Sequence, residues 1–185
     1  MILRSKHADD LNAKIDELYG MFRAVRWIIQ YVGPKYEGQK VVKWKSRIPS
    51  NEILVTYNFD KPINEETRSE LNKISEYENQ NFIVRLYALL QYEGLFNKGI
   101  DKSLEGHQHV SFLENLRHQF AHKPGKFNPK NKKSNKLRLD LFEFYKINPD
   151  DSLPDQFPLP KDIMIHPMVN GVKNYVKHFY EEEGL

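Results

Sequence analysis

The chain has 185 residues, of which 39% are hydrophobic and 29% are charged, and it contains no cysteine. A chain of this length is expected to form one core, and the lack of cysteine excludes disulfide scaffolds, thiol nucleophiles, iron–sulfur centres and thiolate zinc sites. The formal net charge of +3 is the sum of two unlike parts. Residues 123–138, named here the basic strip, hold six Lys, one Arg and no acid, which leaves 21 bases against 25 acids in the rest of the chain.

The N-terminal segment and the hydropathy of the sequence indicate the cellular compartment of the protein. Residues 1–10 lack the apolar stretch of a secretory signal, and no apolar run approaches the roughly 20 residues of a membrane span. We therefore expect a cytoplasmic protein without membrane contact, folded as a single domain over residues 1–185.

The first predicted element is a helix whose apolar residues alternate spacings of three and four. They are Leu11, Ile15, Leu18, Phe22, Val25, Ile29 and Val32. Asp9 or Asp10 can cap its start, and Gly33-Pro34 is expected to stop it. The stripe favours a core helix of a bundle, since three heptads are the lower limit for a coiled coil.

A small β-hairpin is predicted near residues 39–59. Ile53, Val55, Tyr57 and Phe59 alternate with a second set of residues, which is the period of a strand; that set is Leu54, Thr56, Asn58 and Asp60. The segment around Val41 to Trp44 can pair with that strand. We expect an insertion between helices.

Three further helices complete the prediction of an all-α bundle of four main helices. The segment 64–95 forms one long helix or two, with Asn64 as cap. Ser111 and Glu114 fit a capping box at the start of the next helix, which ends at Pro124-Gly125. The last helix begins near Pro167, a residue suited to a first turn, and ends near Glu182. The basic strip 123–138 and the Pro-rich segment 148–162 are predicted loops.

Histidines are the main candidates for chemistry in this chain. Four of the seven, His107, His109, His118 and His122, fall within sixteen positions. His122 occupies a predicted last helical turn, where unpaired carbonyls favour the imidazolium. A histidine that titrates near neutrality exchanges protons with hydroxyls, and Arg117 offers a planar fork of donors for a phosphate. This combination predicts acid–base catalysis on a phosphate ester.

The helix geometry restricts how these residues cooperate. Positions five apart differ by about 140° around an ideal helix, so Arg117 and His122 do not share a face. They converge if the helix loosens near Pro124, if Arg117 reaches around, or if a two-fold partner supplies half of the site.

Two other interpretations of the same histidines stay open. His118 and His122 are four apart, the spacing of two zinc ligands on one helix, and His107 or His109 would be the third ligand of a metal-dependent hydrolase. Gln119 stands where a metalloprotease has its general-base Glu, which argues against that class. The plainest interpretation is that these histidines cap a helix at the surface.

The segment from Leu116 to His122 resembles the signature of the HEPN superfamily. That motif is an Arg, a polar residue, three more positions and a His, and here it is matched at Arg117, His118 and His122. The resemblance extends to its setting late in a helix, after a longer helix that carries Arg85 in an apolar segment, and covers roughly residues 64–182 together with the first helix. Residues 36–60 match no element of that family.

The resemblance implies a HEPN-like four-helix bundle and a metal-independent endoribonuclease without a cofactor. Many such proteins are toxins, phage-defence effectors or RNA-processing enzymes that act as homodimers with a shared cleft, and some pair with an antitoxin. By analogy Arg117 and His122 catalyse the cleavage of RNA, and His118 assists them. Attack by the ribose 2′-hydroxyl leaves a 2′,3′-cyclic phosphate. Other members are inactive nucleotide-binding, RNA-binding or assembly modules.

The basic strip begins directly after His122. Its lysines are candidate RNA- and phosphate-binding residues: Lys123, Lys126, Lys130, Lys132 and Lys133. Binding through them would release counterions and depend steeply on salt. The alternative is a solvated, flexible loop with no ligand.

Overall fold

The structure is a computed structural model that describes residues 2–48, 51–122, 130–148 and 161–182. Within these ranges the chain forms five helices and one antiparallel hairpin. The elements are α1 (Ile2–Lys35), β1 (Val41–Ile48), β2 (Asn51–Asn58), α2 (Glu65–Tyr92), α3 (His107–His122), α4 (Lys132–Tyr145) and α5 (Lys161–Glu182). The all-α class and the predicted hairpin are confirmed. No helix in the described ranges is both long and apolar enough to cross a membrane.

The chain, for which the sequence indicates a single domain, divides into two compact units. The larger unit contains residues 1–20 and 79–185, and the smaller one contains residues 21–78. Helices α1 and α2 each contribute one part to either unit. The motif at Arg117, His118 and His122 belongs to the larger unit.

The core of the larger unit is built from apolar stripes on all five helices. Its fully buried side chains include Leu11, Ile15, Ile83, Leu86, Leu90, Leu113, Leu116, Leu141, Met164 and Tyr175. The first half of α1 is joined to α5 at its surface, where the ammonium of Lys173 lies 2.6 Å from a carboxylate oxygen of Asp16. The first half of the apolar stripe predicted for α1 thus lies in the core of the larger unit.

The smaller unit is organised around the hairpin. Strand β1 pairs with β2 in antiparallel register, with Val42 opposite Tyr57. Val42 and Ile63 are buried and contact Tyr36, Phe59 and other half-buried apolar residues. The hairpin therefore has a small apolar core of its own. Two residues between the strands, 49 and 50, lie outside the described residues.

The structure corrects the predicted start and end of α1. The helix begins at Ile2 and passes through Asp9 and Asp10, so neither caps it. It also continues past Gly33-Pro34 to Lys35. The apolar stripe that located the helix begins at Leu11, and the structure extends it by one position, since Ala8 is also buried.

The predicted capping box is wrong as the start of α3. The helix begins four residues earlier, at His107, so Ser111 and Glu114 lie inside it. Gly106, with φ of +85°, precedes the first turn, and the backbone N–H of His107 donates to the carbonyl of Leu104. This turn supplies the helix start that the sequence pattern assigned to Ser111.

Other predicted boundaries change in α2, α4 and α5. Residues 65–92 form one continuous helix, and the side chain of Asn64 accepts a hydrogen bond from the backbone N–H of Thr67, as expected for a cap. Pro167 lies inside α5, which starts at Lys161, so the predicted first-turn placement is wrong. Residues 132–138 of the basic strip are helical, not loop. Residues 149–160 of the predicted Pro-rich loop lie outside the described ranges.

Helices α3 and α5 approach closely at two glycines. A Cβ at Gly106 would lie 2.1 Å from the carbonyl oxygen of Gly171, and a Cβ at Gly171 would lie 2.0 Å from the ring of His109. Neither position has room for a side chain. This close crossing fixes the first turn of α3, the helix that carries the motif at its other end.

Candidate active site

The motif lies on the last turns of α3, beside the core stripe of that helix. Leu113, Leu116 and Phe120 are buried and face the interior. Arg117 is half-buried at the edge of this stripe and His118 is exposed. The amphipathic pattern of α3 thus places a cation and a histidine next to each other at the rim of the core.

The guanidinium of Arg117 rests on an aromatic ring. Its Cζ lies 5.2 Å from the centroid of the Tyr87 ring on α2, and one of its Nη atoms lies 3.2 Å from Nδ1 of His118. The first contact is a cation–π interaction and the second is a hydrogen bond that Arg117 donates. Together they hold the side chain between the two helices.

Tyr87 is itself held on both sides. Its ring stacks on Phe96 with centroids 4.8 Å apart, and only 7% of the residue is exposed. Burial raises the pKa of the Tyr87 hydroxyl, and the charge of Glu114 raises it further, while the nearby Arg117 opposes the shift. The hydroxyl is therefore neutral at physiological pH.

The contact with Arg117 also fixes the tautomer of His118. An arginine has only donors, so Nδ1 of His118 must accept in this hydrogen bond. The neutral ring then carries its proton on Nε2. In this state Nε2–H of His118 is a hydrogen-bond donor.

His122 is the last residue of α3. The helix is regular through this position, so it does not loosen between Arg117 and His122. The offset of about 140° between the two positions therefore holds in this chain. The side chain of His122 lies outside the described part of the chain.

The basic strip is divided by the structure. Lys132 and Lys133 are exposed in the first turn of α4, and Lys130 is exposed just before it. Lys123 and Lys126 lie outside the described residues. Among the five predicted RNA-binding lysines, three thus have a described position, and two of them are on a helix.

A hydrogen bond joins the start of α4 to the motif helix. The buried Ser134 donates its hydroxyl to Oε1 of Gln119 at 3.0 Å. The side chain of Asn131 caps α4 by accepting from the backbone N–H groups of Lys133 and Ser134. The cap thus occupies two of the backbone N–H groups at the start of α4, where the side chains of Lys132 and Lys133 are exposed.

The histidines that precede the motif have local structural roles. Nδ1 of His107 lies 2.9 Å from the carbonyl oxygen of Leu104, and Nδ1 of His109 lies 2.9 Å from the hydroxyl of Tyr145. Burial lowers the pKa of His109 and raises that of Tyr145. His109 is therefore a neutral imidazole on α3 that contacts Tyr145 of α4 and lies next to Gly171 of α5.

The predicted three-histidine metal site does not form. His107 and His118 are eleven residues apart on one regular helix, which separates their backbones by roughly 16 Å, and His109 is only two residues nearer. Among the described side chains no group of three or more His, Asp or Glu residues could hold a metal ion. The ligand set proposed from the sequence is therefore wrong.

A shallow groove of about 420 Å³ runs beside the first half of α3, away from the motif. It is lined by Lys102, His107, Gln108, Ser111, Phe112, Asp140, Glu143 and Phe144. Its charges are mixed, and Arg117 and His118 take no part in it.

Sequence reasoning missed two residues of the site, Tyr87 and Glu114. Tyr87 belongs to the apolar run at 82–90, where the pattern indicates only core packing. Glu114 was assigned to a helix cap, although its position three residues before Arg117 places both on one face of α3. The spacing of three residues from Arg117 could have identified Glu114 from the sequence. No sequence pattern identifies Tyr87.

Comparison with protein-family models, with curated proteins and with solved structures finds no match to this chain.

Proposed function

We propose that this protein is a metal-independent endoribonuclease of the HEPN type. The observation that carries the proposal is the motif at Arg117, His118 and His122 on the last turns of α3, with the guanidinium of Arg117 held on Tyr87 and against His118. This arrangement offers an anion clamp next to residues that transfer protons. Lys132 and Lys133 extend the positive charge along the neighbouring helix.

The proposed reaction is transfer of a phosphate within the RNA chain. The ribose 2′-oxygen attacks the adjacent phosphorus, its proton passes to a histidine, and the bond from phosphorus to the 5′-oxygen breaks. The leaving 5′-oxygen takes up a proton, so the products are a 2′,3′-cyclic phosphate and a 5′-hydroxyl. His122 is the proposed proton carrier, Arg117 stabilises the charge on the phosphate, and Nε2–H of His118 assists it.

The site is proposed to be completed by a second copy of the chain. The positions of Arg117 and His122 differ by about 140° around the axis of a regular helix, so the proposed site takes Arg117 from one copy of α3 and His122 from a second copy related by a two-fold axis. A homodimer is therefore part of the proposal. A toxin or phage-defence role, with an antitoxin as partner, is the biological setting that the resemblance suggests.

RNA cleavage in the presence of EDTA tests the proposed activity. We expect cleavage that survives EDTA and leaves cyclic phosphate ends, because no step uses a metal. His122→Ala should abolish it, whereas His7→Ala, which removes an exposed histidine from α1, should retain wild-type rates. Loss of wild-type cleavage in EDTA would favour a metal-dependent hydrolase, and binding of RNA without cleavage would favour an inactive binding module.

A further inference from the structure

Phe96 is a partly exposed aromatic residue beside the candidate site. Its ring lies on the ring of Tyr87, with the two centroids 4.8 Å apart and the two planes inclined by 14°. Tyr87 is buried, whereas Phe96 is half-buried. In the described part of the chain, Tyr87 is the one ring that Phe96 contacts. One face of the Phe96 ring is thus covered by Tyr87, and the opposite face is turned away from it.

The turn that ends α2 fixes the backbone next to Phe96. Gly94, with φ of +82°, follows the helix, and its N–H donates to the carbonyl of Gln91. The N–H of Leu95 donates to the carbonyl of Leu90, which completes a Schellman motif. The side chain of Leu95 is fully buried. Because this turn and the contact with a buried ring hold Phe96 before any ligand arrives, stacking on it has a small cost in conformational entropy.

The Phe96 ring is close to the residue proposed to bind phosphate. The guanidinium carbon Cζ of Arg117 lies 5.2 Å from the centroid of the Tyr87 ring, and the centroid of the Phe96 ring lies 4.8 Å from the same point. Cζ of Arg117 and the Phe96 centroid are therefore at most about 10 Å apart. A phosphate on Arg117 and a base on Phe96 can then belong to one nucleotide or to two neighbouring nucleotides of one strand.

We infer that Phe96 forms a subsite that stacks a nucleobase of the RNA, next to the phosphate bound by Arg117. Proteins bind unpaired bases by stacking them on aromatic rings, and every base has a ring face that serves this purpose. The inference rests on the proposed function for the nature of the ligand. It also specifies the substrate class as single-stranded RNA, because a base inside a duplex is not free to stack on a protein ring.

Two short RNA probes separate base stacking from phosphate binding. Both carry 2′-O-methyl groups, which prevent cleavage by the 2′-oxygen, and the second probe is abasic. Phe96→Leu keeps an apolar side chain on Tyr87 and removes the ring. We expect Kd for the intact probe to rise by about fivefold or more, the loss of one stacked base, while Kd for the abasic probe stays within about twofold of wild type.

A merely structural role for Phe96 predicts a different result. If the ring only held Tyr87 and Arg117 in place, Phe96→Leu would weaken the binding of both probes by the same factor. That result would overturn the inference. Equal binding of the intact probe by wild type and by Phe96→Leu would overturn it as well.

Phe96→Trp restores an aromatic face and adds a spectroscopic signal. We expect Kd for the intact probe to stay within about twofold of wild type. The fluorescence that this variant adds to that of the two tryptophans already in the chain should be quenched by the intact probe and not by the abasic probe. Added fluorescence that responds equally to both probes would contradict stacking on residue 96.

Phe112→Leu is the matched control for the loss of a half-buried phenylalanine. Phe112 also packs on another ring, that of Phe144, and it lies beside the first half of α3, away from the motif. We expect Kd for both probes to be unchanged. A rise in Kd equal to that of Phe96→Leu would assign the effect to general destabilisation and contradict the subsite.

The same measurements distinguish a failure of the subsite from a failure of the proposed function. If Phe96→Leu loses affinity for the intact probe alone but wild type does not cut RNA, the proposed cleavage fails and the subsite stands. If wild type cuts RNA in EDTA but Phe96→Leu binds the intact probe as wild type does, the subsite fails and the cleavage stands. A wild-type protein that binds neither probe overturns the subsite, and cleavage in EDTA then decides the proposed function alone.

Discussion

At the residue scale, the site depends on the shape of the Arg117 side chain as well as on its charge. The guanidinium lies over the Tyr87 ring and donates to His118 at the same time, whereas the compact ammonium of a lysine lacks the planar fork of donors. The spacing of Arg117, His118 and His122 was visible in the sequence. The contribution of Tyr87 was not, since a tyrosine in an apolar helix segment has the same pattern whether or not it touches a cation.

Arg117→Lys tests the requirement for a planar fork. We expect kcat/KM for RNA cleavage to fall by about a hundredfold or more, although the positive charge is kept, because the clamp on the developing phosphate charge is lost. Arg85→Lys, at an exposed position of α2, is the matched control and should stay near wild type. Full activity in Arg117→Lys would show that the fork is dispensable.

At the element scale, apolar periodicity located each predicted helix but not its ends. The stripes of α1, α3 and α5 were recognised because burial imposes a period of 3.6 on the sequence. The predicted starts of these helices, at Asp9, Ser111 and Pro167, were wrong. These residue types favour helix starts, but they are also tolerated inside a helix when the preceding turn is already formed. What fixes the start of α3 is the contact of Gly106 with Gly171, which joins residues far apart in the chain.

Gly171→Ala tests the close crossing of α3 and α5. The new Cβ would lie 2.0 Å from the ring of His109, so we expect the free energy of unfolding to fall by about 1–3 kcal/mol in urea denaturation. Gly20→Ala is the matched control in a helix, with no atom within 4 Å of the new Cβ, and should raise stability by about 0.5–1 kcal/mol. Equal effects of the two substitutions on the free energy of unfolding would contradict the close approach of α3 and α5 at Gly171.

The half-buried His109 predicts an acid-dependent loss of stability. Burial lowers its pKa in the folded state below the usual 6.5, so the unfolded chain binds the proton more readily and stability falls as pH drops below about 6.5. Between pH 7.5 and 5.5 the contribution of this one group is at most about 1.4 kcal/mol. In His109→Asn, which retains a polar group near Tyr145, the decrease in the free energy of unfolding over that range should be smaller. A decrease equal to that of wild type would exclude His109 as its source.

At the scale of the whole molecule, the excess positive charge of the chain is concentrated in the basic strip. The described part of the basic strip, residues 130–138, lies just before α4 and in its first half, and a hydrogen bond from Ser134 to Gln119 joins this part of α4 to the motif helix. The all-α class was predictable because composition and periodicity determine it. The division into two compact units was not, because it depends on contacts between segments distant in sequence.

The salt dependence of RNA binding tests whether the basic strip contacts phosphates. Substituting Lys132→Gln and Lys133→Gln together should reduce the slope of log Kd against log salt by about 1.4, since each phosphate contact on a single strand contributes about 0.7. The exposed pair Lys6→Gln and Lys177→Gln removes the same charge elsewhere and should leave the slope nearly unchanged. Equal slopes in the two double variants would indicate only a general charge effect.

The central claim is that Arg117 of one copy and His122 of another form one site that cuts RNA without metal. Mixing two inactive variants, Arg117→Ala and His122→Ala, after joint refolding in EDTA tests it most directly. Half of the dimers then contain one chain of each kind, and each mixed dimer has one complete site of its two, so the account predicts about a quarter of wild-type cleavage. A mixture as inactive as its components would contradict the account.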